Sequence, residues 1–395
     1  MERRCFLCNT GVKTVIQQTW DLPGLASSII GFSICSECGL VLQSPTVEPP
    51  EMDRYYAETA VYHNPSRSGR PPISKVRGVE RQIQLIMNTV GRIPESLFQV
   101  GCSDGYTLSA FRKAGATVVT GIDPGISSNR TAREFHGVDT ITGRFEAFEP
   151  DRRYELVILT HVLEHLYDPV ESVLKCSALQ NDGDWMLVEV PLLERIDRLP
   201  VGYFSFEHLN YFSESTILRL LSMAGYVPYH IEKSFYTFDY PLITLVARKE
   251  DSDADEIRSD YKRAGSLLSC YFERERSCFE SIERRIKRDL KKGTEAYIWG
   301  AGIHTSQLLA STALRSYLSI KGLLDSSPTK WGKKLGTFTC LRPDDVVLRK
   351  GDVIIISSYA SEGEIYEGLK EYRRRGVVVK RLYGDAAQTQ GRGSF

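Results

Sequence analysis

The chain carries no surplus of charge. Lys plus Arg and Asp plus Glu number 50 each over 395 residues, so the formal net charge is zero. No basic excess advertises nucleic acid, and no acidic tail is present. Long apolar runs are missing as well: none approaches the ~20 residues of a membrane span. The N-terminal Met1-Glu2-Arg3-Arg4-Cys5 lacks the apolar core of an export signal, which points to the cytoplasm. Cysteine is sparse and odd in number, nine in all and mostly scattered, as in a reducing compartment rather than a disulfide framework. The full G-x-G-x-x-G fingerprint of a dinucleotide site is absent too. What remains is ordinary for a globular protein, with 42% hydrophobic residues. A chain of this length is too long for one core, so two or three domains are expected.

Four of the cysteines are grouped. Cys5-Phe6-Leu7-Cys8 and Cys35-Ser36-Glu37-Cys38 form two C-x-x-C pairs with 26 residues between them. Each pair can place two thiolates on one tetrahedral zinc ion, and Gly39 permits a tight turn after the last ligand. Four thiolates close the shell and leave no position for water, so the expected zinc is structural.

The most informative stretch is Phe98 to Asp123. An apolar run enters Gly101-Cys102-Ser103-Asp104-Gly105, a helical pattern follows over Leu108–Ala114, and Thr117–Ile122 leads into Asp123. That order predicts a strand, glycine turn, helix and second strand, with a carboxylate delivered at a strand end where it can accept hydrogen bonds from two ribose hydroxyls. Before it, Gly78–Val90 reads as a helix. After it come a short third strand near Asp139–Gly143, the apolar strand Tyr154–Thr160, a helix over Val170–Leu179 and a strand over Asp184–Val190. Strands alternating with helices predict an open, doubly wound α/β sheet, with ligands outside the carboxyl ends of its strands. A nicotinamide site is the disfavoured alternative.

Gly101–Gly105 resembles the glycine loop of class I methyltransferases that bind S-adenosylmethionine. His161-Val162-Leu163-Glu164-His165-Leu166, followed by Asp168-Pro169, resembles the segment after their fourth strand, and Leu187–Pro191 their fifth. The resemblance implies that Gly101, Cys102 and Gly105 pass under the methionine moiety, that Asp123 binds the ribose, and that Phe145 or Glu146 borders the adenine. Thr160 and His161 would floor the pocket. His165, one helical turn from His161, reads as a packed or capping histidine.

Further on, Gly202–Ser213 is aromatic-rich and holds the adjacent Glu207 and His208, just before an amphipathic helix over Ser215–Ala224 capped near Ser213 or Glu214. With the cysteine pairs and the carboxyl-terminal third, the whole layout resembles zinc-containing deoxysugar C-methyltransferases. That resemblance implies a small-molecule partner, a nucleotide-linked 4-keto sugar, methylated on the carbon beside the ketone. His208 would be the base, Glu207 its orienting neighbour, and Tyr62 a donor to the enolate oxygen. Ser205 and Phe206 stand where that family has Tyr-His. An O- or N-methyltransferase on the same scaffold, or a non-catalytic zinc-stapled binding protein, are the alternatives.

Glu256 to Lys292 reads as one or two charged helices with a partial apolar stripe. From Glu295 a second strand, glycine loop (Gly300, Gly302) and helix begin, and Ile320–Leu324 ends in Asp325. Asp352–Ser358, a helix over Glu362–Arg375 and Val377–Leu382 complete a Rossmann-like unit. The expected organisation is therefore a zinc-binding module and connector over 1–75, a doubly wound methyltransferase core over 76–249, a helical linker over 250–293, a Rossmann-like α/β domain over 294–385 and a disordered tail over 386–395.

Overall fold

The computed structural model describes residues 1–58, 70–150, 152–194, 199–234, 240–250, 259–359 and 361–384. The chain divides into two compact units. The first comprises Met1–Ile16, Gly31–Leu199 and Glu207–Leu267, the second Gln17–Ile30, Pro200–Phe206 and Leu268–Phe395.

Strands β1 (Val12–Trp20), β2 (Ser28–Cys35) and β3 (Val41–Gln43) follow one another at the amino end, and helices α1 (Pro49–Glu58) and α2 (Ile73–Val90) come next. The α2 helix starts earlier than Gly78, because Pro72 can precede its first turn but not extend it. It buries Gly78, Val79, Gln82, Leu85 and Ile86, one face at helical spacing. It stops at Gly91, which is left-handed and donates its N–H to the Met87 carbonyl at 3.0 Å.

The core then alternates: β4 (Ser96–Val100), α3 (Tyr106–Ala114), β5 (Val118–Asp123), α4 (Ile126–His136), β6 (Ile141–Thr142), β7 (Leu156–Thr160), α5 (Pro169–Ala178) and β8 (Trp185–Pro191). After it come β9 (Asn210–Tyr211), α6 (Glu214–Ser222), β10 (Tyr226–Ser234), β11 (Leu242–Lys249) and the long α7 (Tyr261–Asp289). The main sheet has seven strands in the order β10-β11-β8-β7-β4-β5-β6. From β8 to β6 the pairs are parallel, while β10 and β11 run antiparallel. Leu156, Val157, Ile158 and Leu159 are all fully buried, as a central strand covered on both faces requires. The order reverses between β4 and β7, so the crevice at their carboxyl ends is the switch point where such sheets bind ligands. A second sheet, β1-β2-β3-β9, joins the amino-terminal strands to the segment before α6.

The second unit contains β12 (Glu295–Trp299), α8 (Ile303–Ser311), α9 (Leu314–Tyr317), β13 (Ser319–Leu324), β14 (Lys334–Leu335), β15 (Phe338–Leu341), β16 (Val353–Ile356), α10 (Glu362–Gly368), α11 (Lys370–Arg374) and β17 (Val378–Arg381). Its sheet order is β14-β15-β13-β12-β16-β17, again with parallel central strands. The single helix expected over Glu362–Arg375 is two, with Leu369 as the joint beside Gly368. Asp325, at the end of β13, accepts hydrogen bonds from the Ala301 and Ser327 N–H groups, both at 2.9 Å, and pairs with Lys330 at 2.8 Å. Its carboxylate is therefore engaged by its own loops. The expected tail over 386–395 lies outside the described residues.

Candidate active site

The loop after β4 opens a cavity of about 790 Å³ within the first unit. Gly101 is left-handed, with φ +66°, and a Cβ there would sit 2.6 Å from Val162 Cγ2. Both facts demand glycine, and they let bare backbone form one wall. Asp123, at the end of β5, is 6% exposed and held by two amides: Ser103 N–H to Oδ2 at 2.9 Å and Gly125 N–H to Oδ1 at 2.8 Å. A carboxylate oxygen can accept more than one hydrogen bond, so an anion fixed in this way is chemically suited to a diol. The glycine turn and the fixed carboxylate are groups that could hold a nucleoside.

The same cavity is lined by His161, Glu164, His165 and His208. His161 follows β7 with φ +56°, a left-handed backbone that costs a non-glycine residue ~1–2 kcal/mol. That turn aims its ring between two buried acids: Nδ1 is 3.3 Å from Glu164 and Nε2 3.6 Å from Glu189. Burial opposes the imidazolium, but the two carboxylates outweigh it and lift His161 to about 9. Burial would likewise raise Glu164 and Glu189, yet His161 holds both below the usual carboxylate range. Glu189 is further satisfied by Arg81, by Gln82 at 3.1 Å and by Thr244 at 2.6 Å. His208 is shifted the other way. Burial, with the positive potential of His165 and His161, lowers it to about 3 against the pull of Glu164, so it is uncharged at pH 7.

The segment carrying His208 is pinned from two sides. Leu209 N–H donates to the Glu164 carbonyl at 2.7 Å, and Asn210 Nδ2 donates to the Leu163 and Leu166 carbonyls at 3.0 and 2.7 Å. From the amino-terminal module, β3 pairs with β9, and Gln43 Nε2 donates to the His208 carbonyl at 2.5 Å. The buried Arg3 guanidinium bridges the Leu209 carbonyl (2.8 Å), Asn210 Oδ1 (2.8 Å) and the Tyr167 carbonyl (2.9 Å). These bonds are charge-assisted and span distant parts of the chain.

The module itself is built on two matching turns. Asn9 and Gly39 each lie four residues after the first cysteine of a pair. Each is left-handed and donates its N–H back to that cysteine's carbonyl, at 2.7 and 3.0 Å. The four sulfurs of Cys5, Cys8, Cys35 and Cys38 lie within 4.8 Å of one another, with Cys5 and Cys38 at 3.6 Å and unbonded. That spacing matches the edges of a tetrahedron with ~2.3 Å metal–sulfur bonds.

The cavity wall includes Gly101, Cys102, Asp123, Phe145, Glu146, Thr160, His161 and His208 from the sequence-derived set. Gly105 and Glu207 are not in that wall. Gly105 caps α3, where a Cβ would meet Ala132 at 2.7 Å. The Glu207 carboxylate turns to the Tyr55 hydroxyl, and its carbonyl contacts His165 Nδ1 at 2.9 Å. Cys102 contributes its backbone, since its side chain is 2% exposed and packs over Gly121. Tyr62 lies outside the described residues. Tyr55 and Tyr56 of α1 reach the cluster, the Tyr56 hydroxyl lying 3.0 Å from His165 Nδ1. Glu164, Glu189 and His165 carry no expected site role in the sequence. For Glu189 the available signal is an acid inside an otherwise apolar strand.

A family model described as a methyltransferase domain matches residues 78–231. The chain is similar to the ubiquinone biosynthesis O-methyltransferase of Bordetella avium, 28% identical over 206 residues, 46% of this chain and 82% of that protein. It is likewise 28% identical over 151 residues to the protein of that name from Bordetella bronchiseptica, spanning 35% of this chain and 60% of the relative. The solved magnesium protoporphyrin IX methyltransferase of Synechocystis, with bound S-adenosylhomocysteine, is 15% identical. The match covers 51% of this chain and 100% of that one, with a TM-score of 0.43. The 1,6-didemethyltoxoflavin-N1-methyltransferase of Burkholderia thailandensis is 14% identical, with coverages of 58% and 100% and a TM-score of 0.41.

Proposed function

We propose that the chain, whose residues 78–231 match a methyltransferase-domain model, is a class I S-adenosylmethionine-dependent enzyme that methylates a small acceptor through an enolate, on the carbon beside the ketone of a nucleotide-linked sugar. The observation that carries this reading is His208, whose buried Nδ1 makes no hydrogen bond among the described residues, in the wall of the cavity that Gly101 and Asp123 also line. Burial keeps that imidazole neutral, the form a general base requires.

S-adenosylmethionine supplies an electrophilic methyl group when bound. Gly101 and Asp123 line the cavity that would hold it. The neutral His208 accepts the acceptor's proton, and the His161 imidazolium, held between Glu164 and Glu189, adds positive potential to the same cavity without donating directly to the oxyanion. Because His208 is a weak base, the ketone must be polarised before the proton leaves. The cysteine cluster belongs to the same proposal: a structural zinc on Cys5, Cys8, Cys35 and Cys38 would keep β3 in place beneath His208.

A test is methyl transfer from labelled S-adenosylmethionine to a panel of nucleotide-linked keto sugars, run in deuterated water. Carbon methylation predicts exchange of the acceptor's α-proton, and His208→Asn should abolish methylation and exchange together. O-methylation is the second reading, favoured by the names of the curated relatives. A methyl ether product formed without α-exchange would establish it instead.

A further inference from the structure

Glu164 stands out among the buried groups. It is 1% exposed, and neither of its carboxylate oxygens accepts a hydrogen bond among the described residues. Its ionic neighbour is His161 Nδ1 at 3.3 Å, which leaves most of its lone pairs unused. His208 Nδ1 is also buried and accepts or donates no hydrogen bond there. A deep acid and a deep imidazole with idle lone pairs, side by side, describe a ligand set.

We propose that Glu164, His165 and His208 bind one divalent transition-metal ion in the wall of the cavity. One ligand atom from each lies within 4.8 Å of the others. Ligands at ~2.0–2.2 Å from a common tetrahedral ion lie roughly 3.3–3.6 Å apart, which falls inside that limit. The three come from two segments already locked together, since Leu209 N–H donates to the Glu164 carbonyl at 2.7 Å. His165 is oriented for ligation: its Nδ1 lies 2.9 Å from the Glu207 carbonyl and 3.0 Å from the Tyr56 hydroxyl. A Nδ1–H held by a carbonyl is the usual outer arrangement of a histidine that ligates through Nε2. All three residues line the cavity, so the remaining coordination positions face the space the acceptor would fill. Two imidazoles and one carboxylate suit zinc, cobalt or iron(II). Magnesium and calcium prefer an all-oxygen shell.

The ion would consume the lone pair of His208 and the negative charge that balances His161. Resting on the methyl-transfer reading above, its occupancy therefore shuts off proton removal. The ion is an inhibitor that competes with the acceptor's chemistry, separate from the cysteine cluster.

The test is a cobalt(II) titration of the full chain with its cysteine site first loaded with zinc. A saturable visible absorption without thiolate-to-cobalt charge transfer is expected. Glu164→Gln and His165→Gln should each weaken it about tenfold or more. Circular dichroism checks each fold, so either variant suffices if the other does not fold. Absence of a second saturable signal, or affinity unchanged in the folded variants, overturns the site. In the activity arm, excess zinc should suppress methyl transfer and a chelator restore it. Zinc binding without suppression overturns the inhibitory role. If cobalt binds as described but no acceptor is ever methylated, the metal site stands and the methyl-transfer reading fails.

Discussion

The side-chain amide of Gln43 donates to the backbone carbonyl of His208 at 2.5 Å, across 165 residues of chain. Gln43 is fully buried, and its Oε1 accepts from Thr46 at 2.8 Å, so both ends of the amide are engaged. Gln43→Leu keeps the volume but strands a buried carbonyl and a buried hydroxyl. A stability loss of about 1–3 kcal/mol is expected. Methyl transfer should fall in kcat while S-adenosylhomocysteine affinity is unchanged, because Asp123 and Gly101 are untouched. Urea unfolding and calorimetry measure the two effects.

Removing the anion at β5 should do the reverse. Asp123→Ala deletes a carboxylate that accepts from Ser103 and Gly125 and lines the cavity. Hydrogen bonds to charged groups are worth about 1.5–3 kcal/mol, so S-adenosylhomocysteine should bind roughly tenfold to a hundredfold more weakly. Isothermal calorimetry at fixed salt reads this directly, and unchanged affinity would place the nucleoside elsewhere.

Gly101→Ala tests the close approach of backbone. At φ +66° the new side chain is strained, and its Cβ would press on Val162 at 2.6 Å. Roughly 1–2 kcal/mol of destabilisation is expected from the backbone alone. Donor affinity should fall with it, whereas Gly91→Ala, with open space around its Cβ, should lose stability only.

Chelation should act at a distance. If zinc is drawn from Cys5, Cys8, Cys35 and Cys38, the matched turns at Asn9 and Gly39 lose their anchor. Arg3 and Gln43 then lose the frame that aims them at the segment around His208. A lower Tm, with zinc released in proportion to a colorimetric chelator, is the expected record. A melt unmoved by exhaustive chelation would count against the ion.

In the second unit, His304 is enclosed between Ser357 Oγ, 2.9 Å from its Nδ1, and the Tyr383 hydroxyl at its Nε2. Burial lowers its pKa to about 4. The unfolded chain, titrating near 6.5, binds the proton first, so stability is full above that value and is lost as pH falls toward 4. The total is up to roughly 3 kcal/mol. Urea midpoints measured at about pH 7.5 and pH 5 should differ more for the native chain than for His304→Gln.

The core strands were legible because β4, β5, β7 and β8 are apolar runs bounded by glycine, proline or acid. Strands β1 and β2 were not. Val12–Trp20 is mostly exposed and carries Lys13, Thr14, Gln17 and Gln18, and its inward positions alternate only from Ile16 to Trp20 with polar Gln18 among them, so the apolar signal is weak. The antiparallel pair β10–β11 was hidden by Pro228 and by the register shift between Pro228 and His230. Asp123 and the glycine turn follow from local order alone. The imidazole–carboxylate cluster does not, because Glu164, Glu189 and His208 meet only when β8 and the segment before α6 fold against the turn after β7. His165 reads from the sequence as a packing residue. Its ring does pack, but it also faces the cavity.

Glycine at position 121 has a consequence for chemical labelling. A Cβ there would lie 2.8 Å from Cys102 Sγ, so the parallel strand is shut directly over that thiol. Burial also raises the Cys102 pKa, which leaves little thiolate for an alkylating reagent. The native sulfur is thus a silent clock: its rate of capture by iodoacetamide reports how often the sheet parts between β4 and β5.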